Sequence, residues 1–178
     1  GKSTAMKRLK KSGVLEHHIH KDWPVSMGAL PKVVFVQEPV KLWREKGWLQ
    51  RYYAEPDLYA FAFQTLVFCT HVQAIEDCIK KNPVPLIILS ERSMYDQLLF
   101  WFQQKENGKL TADDMHNDAY MIMWHLRHRF IPHPSGILFF YTKYIQHTMQ
   151  RVKRRARAEE LGSEVNSLNS SRIDGEEE

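Results

Sequence analysis

The sequence predicts an α/β fold in which a parallel sheet is covered by helices on both faces. Three short runs of apolar residues, at 33–36, 86–89 and 137–141, are typical of strands buried on both faces. Segments with helical spacing separate these runs, and this alternation favours a parallel sheet between two helical layers. Ligands of such sheets bind beyond the carboxyl ends of the strands, so the residues that follow each run are candidates for a site.

Composition narrows the class of protein. The chain has 178 residues, of which 43% are hydrophobic, and this is enough for one packed domain. No apolar run approaches the roughly 20 residues of a membrane span, and the basic N-terminal stretch lacks the apolar segment of a secretory signal. Cys69 and Cys78 show no metal-ligand or redox spacing, which suits a reducing compartment. We therefore expect an intracellular protein, either cytoplasmic or mitochondrial, that does not bind membranes.

The chain opens on Gly1-Lys2-Ser3-Thr4, which matches the end of the phosphate-binding loop G-x-x-x-x-G-K-[ST]. That loop follows a strand and opens a helix, and Ala5 to Lys11 can continue such a helix until Gly13. Since the first glycine of the motif and its strand would precede Gly1, we expect a chain truncated at its N terminus. Taken alone, the four residues fit a polar start to a basic helix equally well.

The first half of the chain contains one strand and two helical segments. Residues 12–32 carry three histidines, prolines and glycines and predict a loop, because the histidine spacing fits no common zinc site. The strand at 33–36 ends in Gln37-Glu38-Pro39, and residues 41–53 predict a short helix and turn. A long helix is predicted over 57–81, where the inward positions recur at three- and four-residue steps: Phe61, Thr65, Phe68, Val72, Ile75 and Ile79.

The second half repeats the alternation. The strand at 86–89 is followed by Ser90-Glu91-Arg92-Ser93, and helices are predicted over 95–106 and from Thr111 to about Phe130, ending at Pro132 and Pro134. After the third strand, a basic helix is predicted over 143–160. Residues 161–178 are polar and predict a flexible tail.

The basic helix carries five cations within seven residues, Arg151, Lys153, Arg154, Arg155 and Arg157. Such a concentrated positive charge predicts a local anionic target. A lid that folds over phosphates is one interpretation, and a helix that binds nucleic acid or is simply solvated is the other.

Polar residues at the strand ends are those that phosphoryl transfer requires. Lys2 can bind the outer phosphates and Ser3 can bind magnesium, as in other phosphate-binding loops. Glu38 is a candidate base for a hydroxyl acceptor, Arg92 can pair with it and aim it, and Glu91 can join the magnesium shell. Trp43, Tyr53, Phe63 and Gln64 can line a pocket for a planar ring, although an aromatic residue on a helix face usually belongs to the core.

The sequence resembles the deoxyribonucleoside kinases of the deoxycytidine, deoxyguanosine and mitochondrial thymidine kinase type. The resemblance rests on motifs in family order and at family-like spacing over nearly the whole chain. They are Gly1-Lys2-Ser3-Thr4, Glu38-Pro39-Val40 with Trp43, Tyr53 followed by Phe61-Ala62-Phe63-Gln64-Thr65, Glu91-Arg92-Ser93-Met94-Tyr95, the strand from Gly136, and Arg151-x-x-x-Arg155-x-Arg157 with Glu159-Glu160.

The resemblance implies a P-loop kinase-like α/β/α sandwich that transfers phosphate from ATP, with Mg²⁺, to the 5′-hydroxyl of a deoxynucleoside. Glu38 is similar to the general base and Arg92 to its partner; Ser3 and Glu91 fall on magnesium positions. The residues implied for ATP are Gly1, Lys2, Ser3, Thr4, Arg151, Arg155 and Arg157. Those implied for the nucleoside are Trp43, Tyr53, Phe63, Gln64, His71, Gln97 and Glu160.

Three departures from the family pattern affect these roles. Asp96-Gln97-Leu98-Leu99 stands where the family has Ser-Asp-Arg-Tyr or Ser-Ala-Arg-Tyr, so the base-discriminating residue is Gln97, or Asp96 if one residue is deleted. His71 occupies a position where relatives carry Arg or Met, which leaves the base preference open. The lid glutamate is Glu160 or lies within Glu176-Glu177-Glu178.

We therefore expect residues 1–178 to form one partial kinase domain that lacks its first and last strands. Its sheet would have unpaired edges, so this chain alone is expected to be unstable and inactive. The resemblance implies a homodimer for the full-length protein and no direct role for nucleic acid. The alternatives are a non-catalytic nucleotide-binding relative, a nucleoside monophosphate kinase and, last, a nucleic-acid-binding protein.

Overall fold

The structure is a computed structural model that describes residues 2–108, 110, 114–139, 144, 146, 147 and 150. These residues contain two strands, β1 (Lys32–Val36) and β2 (Leu86–Ser90). The helices before β2 are α1 (Lys2–Ser12), α2 (Val14–Asp22), α3 (Val40–Glu45), α4 (Trp48–Ala54) and α5 (Pro56–Lys81). Helices α6 (Met94–Glu106) and α7 (Asp114–Leu126) follow, and short 3₁₀ turns occupy Val25–Met27 and Arg127–Arg129.

The two strands form a parallel pair. Their register runs from Lys32 opposite Leu86 to Val36 opposite Ser90. A parallel pair needs a long crossover between its strands, and the segment from α3 to α5 provides it. Both strands therefore end at the same edge of the sheet.

Helices cover both faces of this pair. Val34, Val36 and Ile88 face a cluster contributed mainly by α5, with further members from α6, α7 and the segment after α7: Phe68, Val72, Ile75, Cys78, Met94, Trp124 and Ile131. On the opposite face, Phe35 and Gln37 line a pocket of about 560 Å³ beneath Met6 and three lysines of α1. This arrangement confirms the predicted α/β class with helices on both sides of a parallel sheet, which is truncated to two strands in the described residues.

Helix α5 forms the centre of the larger layer. It starts with Pro56 at its first position, where a missing N–H costs nothing, and it carries Asp57 in its first turn. It ends where Asn82 Nδ2 donates to Cys78 O at 2.7 Å. By length and composition α5 is also long and apolar enough to cross a membrane, but it contacts β1, α4 and α6, as a core helix does.

Helix α6 begins at a capping box. The Ser93 backbone N–H donates to Asp96 Oδ2 at 2.9 Å, and the Asp96 N–H donates to Ser93 Oγ at 3.4 Å. Further along, Trp101 stacks on Tyr120 of α7 with ring centroids 4.0 Å apart, and both residues are almost fully buried. This pair joins α6 to α7 beneath α5, where Ala60 completes the cluster.

Two predictions about secondary structure are wrong. The predicted loop at 12–32 contains helix α2, because no proline interrupts 14–22 and Leu15 and Ile19 place an apolar stripe on one side. The predicted strand at 137–141 is absent over its described part, 137–139, where Phe139 is 84% exposed. An apolar run becomes a strand only where a neighbouring strand takes up its backbone hydrogen bonds, and no strand in the described residues does so here.

We predict that Trp101→Ala lowers the free energy of unfolding by about 3–5 kcal/mol, the usual cost of truncating a buried aromatic side chain. It would also leave Asn117 Oδ1 without the Trp101 Nε1 donor that lies 3.2 Å away. Urea denaturation of the full-length protein followed by circular dichroism measures this change. Leu99→Ala, on the same helix but 67% exposed, is the matched control. Equal losses for the two variants would contradict the assigned core.

Candidate active site

The parallel register brings Glu38 and Arg92 together. Val36 lies opposite Ser90 at the ends of the strands, and the same register two residues further pairs Glu38 with Arg92. Arg92 Nε lies 2.6 Å from Glu38 Oε1, and the two side chains are 25% and 15% exposed. The contact is an ion pair by distance, although the Nε–H does not point along a good hydrogen bond. A partly buried carboxylate beside a guanidinium is thereby held at the edge where ligands bind.

Arg92 has an unusual backbone conformation. Its φ angle is 71°, and within the described part of the chain no other non-glycine residue has a positive φ. The left-handed region costs a residue with a Cβ roughly 1–2 kcal/mol. The Arg92 guanidinium also lies over the Phe100 ring of α6, 4.6 Å from its centroid. Strained residues of this kind cluster at functional sites, where surrounding contacts fix them.

Ser3 and Glu91 meet at the same edge. The Ser3 hydroxyl at the start of α1 donates to Oε1 of Glu91, whose carboxylate is 8% exposed. The Glu91 backbone N–H donates to Val36 O at 2.8 Å and so fixes this residue to β1. A hydroxyl and a carboxylate are oxygen ligands that suit Mg²⁺, which usually takes one or two carboxylates with phosphates and water. In the described residues no group of three His, Cys, Asp or Glu residues could hold a metal.

Three of the predicted nucleoside residues lie in a second cluster between α3, α4 and α5. Trp43 and Phe63 are buried there, with ring centroids 5.8 Å apart. Trp43 Nε1 donates to Thr70 Oγ1 at 3.1 Å, and Tyr52 stacks on Phe63 at 4.8 Å with Tyr53 beside it. These rings support one another, and so Trp43 and Phe63 can serve as rigid walls as well as core.

Two candidate residues for the nucleoside, Gln64 and Gln97, are buried amides. Gln64 of α5 is 5% exposed and Gln97 of α6 is 1% exposed. Neither Oε1 nor Nε2 of Gln97 has a hydrogen-bond partner among the described residues. Buried amides are usually paired, so the unpaired amide of Gln97 requires an explanation. Asp96, the alternative at this position, is engaged in the capping box of α6.

His71 also has a protein partner that the sequence did not indicate. It is 2% exposed on α5, and its Nε2 lies 3.2 Å from Ser90 Oγ. Burial lowers the pKa of His71; the Asp96 carboxylate raises it and the Arg92 guanidinium lowers it by smaller amounts. The imidazole is therefore held in its neutral form.

The remaining candidates are not brought into this contact network. Lys2 and Thr4 are exposed on the first turn of α1. Gly1 and four of the predicted lid residues, Arg151, Arg155, Arg157 and Glu160, lie outside the described residues. The sequence did not predict Ser90, Phe100 or Thr70 as partners of site residues. Ser90 alone gave a signal, as the polar last residue of an apolar strand.

Comparison with known proteins indicates the family of this chain. A family model described as deoxynucleoside kinase matches residues 1–170 of the chain. The chain is also 35% identical over 66 residues to a probable deoxycytidine kinase of Fowlpox virus (strain NVSL). That segment is 36% of this chain and spans only 27% of the viral protein. Because the family model covers nearly the whole chain, the chain belongs to the deoxynucleoside kinase family.

Proposed function

We propose that the protein transfers the terminal phosphate of ATP to the 5′-hydroxyl of a deoxyribonucleoside, giving the nucleoside monophosphate and ADP. The observation that carries this proposal is the Glu38–Arg92 pair at the end of the parallel strands, beside the Ser3–Glu91 contact. One pair supplies a base for the acceptor and the other supplies oxygen ligands near the start of α1. Membership of the family supports the same reaction.

Glu38 acts as the general base. Its carboxylate takes the proton of the 5′-hydroxyl as that oxygen bonds to the γ-phosphorus and the bond to the ADP oxygen breaks. A base must lie within hydrogen-bond reach of the proton it removes, so its position matters more than its intrinsic strength. Arg92 fixes that position through the ion pair, and Phe100 limits the movement of the guanidinium.

The start of α1 binds the phosphates. Backbone N–H groups at a helix N terminus attract anions, and Lys2 adds a positive charge there. Ser3 and Glu91 would hold Mg²⁺, which neutralises charge on the transferring phosphate when it is bound. Arg151, Arg155 and Arg157 would close over ATP as a lid, which keeps water from the phosphate.

The nucleobase is held by amides between aromatic walls. Gln64 and Gln97 each offer one acceptor and two donor hydrogens, so they can pair with the edge of a base without a charge. Trp43 and Phe63 give the ring a flat apolar surface, and Tyr53 is the candidate contact to the sugar. The unpaired amide of Gln97 supports this assignment, since a base would supply its missing partners.

We predict that Glu38→Gln in the full-length protein lowers kcat by roughly 10²–10⁴-fold, because the amide cannot accept the proton. A radiolabelled phosphate-transfer assay over the four deoxynucleosides measures this and identifies the preferred base. Glu45→Gln, an exposed carboxylate paired with Lys41, is the control and should leave kcat unchanged. An unaltered kcat in Glu38→Gln would remove Glu38 from the role of base.

We predict that Gln64→Leu lowers kcat/KM for the nucleoside by roughly 5–150-fold, the effect of leaving a base edge unpaired at about 1–3 kcal/mol. KM for ATP should stay nearly constant, because the amide is assigned to the base. Gln103→Leu, on the exposed side of α6, provides the comparison. A parallel rise in both KM values would argue against a base-specific contact.

A further inference from the structure

The contact between His71 and Ser90 joins two layers of the fold at the active site. His71 comes from the middle of α5, and Ser90 is the last residue of β2. The next two residues are Glu91, which binds Ser3, and Arg92, which pairs with Glu38. His71, a side chain of the helical layer, therefore contacts the residue that directly precedes Glu91 and Arg92 in the chain.

The turn at Glu91 and Arg92 needs such support. A residue with a Cβ stays in the left-handed region only where its surroundings fix it, and Arg92 has a φ of 71°. Three other contacts fix the turn: the Glu91 N–H to Val36 O, the Ser93–Asp96 capping box and the Glu38–Arg92 ion pair. None of these three comes from α5, so the His71–Ser90 contact adds a constraint from a different direction.

The chemistry of the pair suits this task. Neutral imidazole has one donor and one acceptor nitrogen, so it can exchange a hydrogen bond with a serine hydroxyl in either tautomer. His71 is almost completely buried, and its bond to the half-buried Ser90 holds its ring in one orientation. A residue whose Nε2 is already engaged by Ser90 has less capacity to bind a base directly.

We propose that His71 is a positioning residue: through Ser90 it holds the carboxyl end of β2, so that Glu91 and Arg92 face Ser3 and Glu38. This inference rests on the proposed function, since it assigns a task to His71 within that site. It separates His71 from base recognition, which then falls to Gln64 and Gln97. Its kinetic signature is a loss of turnover with little change in nucleoside affinity.

A double-mutant cycle tests the coupling. His71→Leu and Ser90→Ala should each lower kcat by about 5–20-fold, the effect expected for one part-buried hydrogen bond. KM for the nucleoside should change by less than about 2-fold in each variant. Because the two residues act as one unit, the double variant should be no slower than the slower single variant. His71→Gln, whose amide can replace Nε2 as a hydrogen-bonding group, should recover most of the rate.

Two kinetic outcomes would overturn the proposal. A rise in nucleoside KM at constant kcat would show that His71 contacts the nucleoside, and independent losses that multiply in the double variant would show that the pair is not coupled. Gln73→Ala, an exposed position on the same helix, is the control and should match the unmodified protein. If His71→Leu fails to fold, the small change Ser90→Ala and the rescue variant still decide the question.

A second readout needs no catalysis. The Glu91 amide donates to Val36 O, and its hydrogen-exchange rate reports how firmly the turn is held. We expect exchange at Glu91 to accelerate at least about 5-fold in Ser90→Ala and His71→Leu, without a matching change in the core of α5. Unchanged protection at Glu91 would refute the positioning role. Absence of kinase activity in the unmodified full-length protein would instead refute the proposed function, so the two failures are distinguishable.

Discussion

The in-register parallel pairing of β1 with β2 is the constraint on which the site depends. It sets Val36 opposite Ser90, and the residues that follow then meet in pairs at one edge. A shift of one residue would turn each side chain to the opposite face of the sheet, because side chains alternate along a strand. Glu38 would then lose Arg92, and Val36 would leave the core cluster that it shares with Phe68 and Val72. The same register therefore determines both the packing of the core and the alignment of the candidate base.

Helix α5 connects that core to the ligand-binding edge. Its inner face carries apolar residues that pack on β1, and the same helix carries Phe63, Gln64 and His71. These three residues spread over about two helical turns, so a rigid helix fixes the distance between the assigned base pocket and the strand end. Polar groups on a core helix reduce the apolar area that it can bury. The buried imidazole of His71 is tolerated because Ser90 Oγ offers it a hydrogen bond. By contrast, the amide of Gln97 on the neighbouring helix has no hydrogen-bond partner in the described part of the chain.

Sequence patterns predicted the elements whose signals are local. The β-branched run at 33–36, the long periodic segment at 57–81 and the helix predicted over 95–106 all appear in the structure close to the predicted bounds. Helix α2 was not predicted, because its three histidines made the apolar stripe of Leu15 and Ile19 difficult to recognise. The strand prediction at 137–141 was wrong over its described part, because a strand forms only where a partner distant in sequence pairs with it. The pairing of His71 with Ser90 could not be predicted, since it depends on helix rotation and side-chain rotamers together. The role of Asp96 in the capping box of α6 could have been predicted, because a serine followed three residues later by an acidic residue is a capping signal.

The backbone of Arg92 places two demands on one position. Glycine would adopt a φ of 71° without steric cost, yet it would remove the guanidinium that holds Glu38 and lies over Phe100. Every side chain that relaxes the turn loses the charge, and every side chain that keeps the charge retains the strain. The fold must therefore carry enough surplus stability in its core to tolerate a residue that works against it locally. Robustness to mutation in this protein is consequently limited by the chemistry of its turn, and a substitution far from the site can abolish function by using up that surplus.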